Sequence, residues 1–140
     1  MSTYSIADLF TRIRNAQMRD ARHVLVPKTN VTQKIVTILS NEGFLDGVEQ
    51  VFTGTEGLKR EQDKYLRLTL PVTLDTTQAS KPLSVKIVSK PGCRIYVSAK
   101  NIPFPRRGMS LCLLSTSKGI LTNREARLLG IGGEFLCILW

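Results

Sequence analysis

Histidine is almost absent from this 140-residue chain, which carries one, His23. That scarcity weighs against catalysis by a nucleophile and a general base, because Arg22 beside His23 does nothing to make it a useful base. No HExxH, GxSxG or phosphate-loop lysine pattern occurs, and no paired-carboxylate signature. Cysteine is scarce too. Cys93, Cys112 and Cys137 are odd in number, 19 and 25 residues apart, with no CxxC, which excludes a disulfide framework and a zinc site. Cys112 and Cys137 sit in apolar runs and are expected in the core, in a reducing compartment. No run reaches the roughly 18 apolar residues of a membrane helix. The start lacks the basic-then-apolar pattern of a secretory signal, and Asp8 comes too early for an acid-poor transit leader. Repeats and low-complexity segments are also missing. No cofactor, membrane or small-molecule substrate is expected.

Acid is absent from one long stretch. Residues 76–124 hold nine bases (Lys81, Lys86, Lys90, Arg94, Lys100, Arg106, Arg107, Lys118 and Arg124) and no Asp or Glu. Residues 42–75 reverse this, with seven acids against four bases. The whole chain carries a net charge of +9. A protein needing only solubility would mix its signs. Segregation points to one surface facing a polyanion and another facing away.

The apolar pattern predicts an α+β protein of two small lobes. An N-terminal lobe, 1–75, runs α-β-α-β-β. A C-terminal lobe, 76–140, is mainly β with one short helix. Ile6, Leu9, Phe10 and Ile13 recur at helical spacing, predicting a helix over 5–21 capped by Ser5. Arg12, Asn15, Arg19 and Arg22 line its other face, with Arg14 on a flank. A strand at 24–26 ends at Pro27. A second helix is expected over 31–42, with Asn30 as cap, Gln33 at the third position and Gly43 as its stop. Strands over 45–53 and 65–73 form a hairpin. Strands over 83–88 and 94–98 flank Lys90-Pro91-Gly92, which has the chemistry of a type II turn. A strand over 109–114, a helix over 122–129 opened by Thr122 and Glu125, and a strand over 134–140 complete the lobe.

Ser115-Thr116-Ser117-Lys118-Gly119 stands apart. Three consecutive hydroxyls cannot all cap one helix, but each can bond an RNA phosphate, a 2′-hydroxyl or a base edge. An ordinary Ser/Thr turn is the alternative. The helix that follows could also aim free amides at an anion.

Four segments in order resemble the small-subunit ribosomal protein S-eight family. They are Thr11-Arg12-Ile13-Arg14-Asn15-Ala16, the stretch Ser89-Lys90-Pro91-Gly92-Cys93-Arg94-Ile95-Tyr96-Val97, the stretch from Leu114 to Thr122 with Glu125-Ala126-Arg127, and Gly132-Gly133-Glu134. The resemblance covers nearly the whole chain. It implies two packed α+β lobes and a structural role in the small ribosomal subunit. The protein would bind a helical segment in the central domain of small-subunit rRNA, beside neighbouring ribosomal proteins, and aid assembly. It further implies a C-terminal RNA site of Ser115, Thr116, Ser117, Gly133 and Glu134, beside which Lys118 adds charge. Arg12, Arg14 and Asn15 would touch RNA from the first helix, and Lys90, Arg94 and Tyr96 from the central turn and strand. The ending from Gly130 to Trp140 looks like plastid members, which places the protein in the plastid stroma, with a bacterial cytoplasm as alternative. A basic regulator of structured mRNA off the ribosome is the competing function. A small hydrolase or transferase using the hydroxyl cluster is a third reading, which lacks any base.

Overall fold

A computed structural model describes residues 3–52, 64–71, 83–105 and 110–140. It contains three α-helices and two antiparallel sheets, an α+β fold. Contacts divide the chain into two units: Asp8–Pro82, and Leu83–Trp140 with Met1–Ala7. The boundary expected at residue 75 falls outside the described residues, as does the polar loop over 53–63.

Helix α1 spans Thr3–Met18. It buries Ile6, Leu9, Phe10, Ile13 and Ala16, the stripe expected from their spacing. Both ends differ from expectation. The helix already includes Thr3, so Ser5 lies within it and is not its cap. It stops at Met18 because Asp20 takes a left-handed φ of 52°. The Asp20 and Ala21 amides then turn back to the Gln17 and Ala16 carbonyls (3.1 and 2.9 Å), a Schellman closure. Asp is one of the few residues with a side chain that tolerates this conformation.

Strand β1 (His23–Pro27) leads to α2 (Asn30–Asn41). The cap of α2 is Thr29, one residue before the expected Asn30. Thr29 Oγ1 accepts from the Thr32 amide (3.1 Å) and Thr32 Oγ1 from the Thr29 amide (2.8 Å). A threonine serves at the third position where Glu or Gln was sought. Gly43, at φ 85°, closes the helix as expected. Strands β2 (Gly47–Phe52) and β3 (Lys64–Thr69) pair as foreseen, and β1 joins the other edge of β3 to give the order β1-β3-β2. Val26, Leu66 and Leu68 are buried, while Leu25 and Arg67 alternate to the open face.

The second sheet contains β4 (Val85–Ile87), β5 (Tyr96–Val97), β6 (Leu111–Thr116), β7 (Gly119–Thr122) and β8 (Gly133–Leu139). β8 is central. β6 flanks one edge and continues to β7, and β4 and β5 share the other edge in tandem. Strand β7 was not foreseen, because its four residues follow the polar cluster too closely to show alternation. A bulge in β8 lets Leu114 face Phe135 while Leu113 faces Cys137. Helix α3 (Asn123–Leu129) is capped by Thr122, whose hydroxyl accepts from the Glu125 amide at 3.2 Å. It packs on a cluster of Ile102, Cys112, Leu114, Ala126 and Phe135. A short 3-10 turn, Ala99–Asn101, follows β5.

Candidate functional site

The sheet edges bring the expected C-terminal residues to one end of the second sheet. Glu134, second residue of β8, stands opposite Tyr96 of β5 on one side and Ser115 of β6 on the other. Cross-strand partners project to the same face, so Tyr96, Glu134 and Ser115 form a row across three strands. Phe135, next in line, projects to the opposite face, into the core under α3. Tyr96 is 68% exposed and Glu134 only 7%. The row therefore joins an open aromatic ring to a sunken acid.

Glycines allow the strands to close on this row. A Cβ on Gly133 would press into the Ser115 carbonyl, backbone that cannot swing aside. On Gly132 it would strike the Val97 carbonyl and lie 2.9 Å from the Ala99 amide nitrogen. Gly133 thus has a structural reason to lack a side chain, whatever it touches outside the protein.

The acid is incompletely satisfied. Arg94 Nη1 lies 3.6 Å from Glu134 Oε2, a loose ion pair. Glu134 Oε1 is buried and has no hydrogen-bond partner among the described residues. An ionised carboxylate only accepts hydrogen bonds. Oε1 therefore suits an amino or hydroxyl donor and repels a phosphate.

The hydroxyl cluster divides by role. Ser115 is half-buried within β6, opposite Ile120 as well as Glu134. Thr116 ends the strand opposite Gly119. Its hydroxyl donates to the Gly119 carbonyl (2.8 Å) and accepts from the Lys118 amide (3.2 Å). That closes the hairpin, so toward any ligand the Thr116 oxygen can only accept. Gly119, the residue just after the turn, takes a positive φ of 100°, which a residue without a Cβ adopts at little cost. Ser117 and Lys118 form the turn itself, and both are exposed.

Lys90 begins the expected turn. It exchanges amide-to-carbonyl bonds with Cys93 (3.0 and 2.9 Å), and Gly92 holds φ 85°. Lys90 and Arg94 are both exposed. From residue 83 onward the described residues carry seven bases (Lys86, Lys90, Arg94, Lys100, Lys118, Arg124 and Arg127) and two acids (Glu125 and Glu134), a net of +5 from seven minus two. The start of α3 is used internally: Thr122 takes the Glu125 amide, and the buried Asn123 side chain bonds the Cys112 amide and the Pro103 carbonyl.

Arg12, Arg14 and Asn15 lie on α1, in the other unit, and are exposed. They do not form one face with Arg22. At about 100° per residue, Arg12 and Arg14 sit on opposite flanks of the buried stripe. Arg12 Nε pairs with Asp8 (3.0 Å) and its Nη1 donates to the Leu25 carbonyl (3.3 Å). Arg14 makes no such bond among the described residues. Arg22 lies beyond the helix end, donating to the Leu70 carbonyl (3.1 Å) beside Asp46 (3.3 Å).

Sequence reasoning missed Ser89 and Gly132 as supports of the site. Ser89 is a lone hydroxyl closing an apolar run just before a turn, a signal that reads equally as strand end. Gly132 stands in the sequence only as part of the Gly132-Gly133-Glu134 segment, with no sign of the close backbone approach it permits. Among the described residues, no group of His, Cys, Asp and Glu could hold a metal ion, and no helix is long and apolar enough to cross a membrane.

Comparison with known proteins gives the family of the chain. The family model described as Ribosomal protein S8 matches residues 4–140. A protein named small ribosomal subunit protein uS8c from Lotus japonicus is 45% identical over 142 residues, covering all of both chains. One of the same name from Glycine max is 45% identical over the same span. A protein named small ribosomal subunit protein uS8 from Deinococcus deserti is 44% identical over 135 residues, 96% of each chain. The chain belongs to the ribosomal protein S8 family.

Proposed function

We propose that this protein is a structural, non-catalytic constituent of the small ribosomal subunit. It binds a helical segment in the central domain of small-subunit rRNA and aids assembly. One observation carries the assignment of the binding surface: the row Tyr96–Glu134–Ser115, beside the exposed Ser117–Lys118 turn, at one end of a sheet in a unit whose sequence has a net charge of +7, nine bases minus two acids. In this reading each part has a separate task. Lys90, Arg94 and Lys118 draw in the phosphate backbone. Tyr96 offers a face on which an unpaired base can stack. Ser115, Ser117 and Glu134 meet 2′-hydroxyls and base edges at short range, and Thr116 contributes an acceptor. Gly133 lets the backbones approach. Arg12, Arg14 and Asn15 add contacts from α1. The N-terminal lobe is taken to end near residue 75 and the RNA-binding lobe to begin near 76. The partners are this rRNA and neighbouring ribosomal proteins, in the plastid stroma, where the relatives named uS8c support a plastid home over a bacterial cytoplasm.

Co-sedimentation tests the assignment. The protein should remain with small subunits through a high-salt wash, and RNA recovered with it should map to the central domain. Release by salt, with recovery of messenger RNA instead, would favour regulation off the ribosome.

A further inference from the structure

Ser89 is fully buried, where β4 gives way to the Lys90–Cys93 turn. Its hydroxyl bridges two strands. Oγ donates to the Phe135 carbonyl at 2.6 Å and accepts from the Ile95 amide at 3.0 Å. The Phe135 amide in turn donates to the Ile95 carbonyl at 2.8 Å. Ile95 immediately precedes Tyr96, and Phe135 immediately follows Glu134. The serine thus sits as a rung beside the pair that sets Tyr96 opposite Glu134.

β5 is only two residues long, too short to hold its own alignment through ladder bonds alone. Without the Ser89 oxygen, the Ile95 amide would lose its partner and the Phe135 carbonyl a buried donor, in a place with little access to water. The backbone would have to shift to recover them, and Tyr96 would move with it. We propose that Ser89 is a positioning residue for the RNA-binding surface: it never touches RNA, and its hydroxyl holds the Tyr96 ring in line with Glu134. The inference rests on the RNA-binding role of that surface proposed above.

Ser89→Cys tests this, because it nearly keeps the volume and replaces a strong hydrogen-bonding hydroxyl by a weak thiol. Binding to a central-domain rRNA fragment and to an unrelated duplex is measured well below the melting temperature, with Ser117→Ala in parallel. Ser89→Cys is expected to weaken the rRNA fragment about tenfold and to leave the unrelated duplex and the salt slope unchanged. Amide exchange at Ile95 should quicken while β6 keeps its protection. Ser89→Thr, which keeps the hydroxyl, should bind close to the original protein. If Ser117→Ala weakens the fragment and folded Ser89→Cys does not, the positioning role is overturned while the surface stands. Unchanged binding by both variants overturns the surface, and this inference with it. If Ser89→Ala and Ser89→Cys fail to fold while Ser89→Thr folds and binds fully, the hydroxyl serves folding and the positioning role is overturned.

Discussion

Three adjacent hydroxyls differ in what the chain itself uses. The Thr116 hydroxyl closes its own hairpin, while Ser117 is exposed on the turn. Thr116→Val should therefore lower the stability of the protein by about 1 kcal/mol, the usual worth of an internal hydrogen bond. Ser117→Ala should leave the melting temperature unchanged and cost about 1 kcal/mol of affinity for the specific RNA. Thermal melts beside RNA titrations of both variants check this. The sequence alone treats the three hydroxyls as alike, because nothing in Ser-Thr-Ser says which oxygen the chain itself will use.

Cysteines show the same division between core and surface. Burial pushes the Cys112 thiol up to about 11 and the Cys137 thiol further, with Cys112 adding to it. Both folded values exceed the roughly 8.5 of an unfolded thiol. The folded state thus holds these protons longer, and the stability they contribute is present below pH ~8.5 and lost as pH rises above it. Denaturant midpoints should accordingly fall as pH rises from roughly 8.5 to about 11. In native protein at pH 8, mass spectrometry should find an alkylating reagent on exposed Cys93 alone. Rapid labelling of Cys137 would contradict its burial.

At the scale of elements, legibility followed how local each signal was. The stripe of α1, the β2–β3 hairpin, the Lys90–Cys93 turn and the Thr122 cap are set by neighbours in sequence, and each was legible. The end of α1 was not, because it depends on Asp20 accepting a left-handed backbone. β7 is a local hairpin partner of β6 but too short to show alternation, and the splitting of one edge of β8 between β4 and β5 depends on pairing across long separations. Gly133 belongs to this scale. Gly133→Ala should force β8 away from the Ser115 carbonyl and destabilise the protein by about 1–3 kcal/mol, as overpacking does. A urea midpoint equal to that of the unsubstituted protein would mean the strands have room to spare.

Across the whole molecule the informative signal was charge order along the chain. The acid-free stretch contains most of the residues assigned to the RNA surface, whereas acids of the 42–75 segment meet bases of their own unit, Asp46 with Arg22 and Glu49 with Arg67. What charge order could not reveal is that Glu134, outside that stretch, lies sunken at the centre of the site. On the proposed assignment two kinds of force act on RNA: a long-range, sequence-blind attraction from Lys and Arg, and a short-range selection by the neutral groups around Glu134. They separate in a plot of affinity against salt. For the rRNA fragment, the doubly substituted Tyr96→Ala, Ser117→Ala protein should bind about thirtyfold more weakly at every salt concentration, with an unchanged slope. It should bind an unrelated duplex as before. An equal loss on both RNAs, or no loss on the fragment, would contradict the assignment of selection to this end of the sheet.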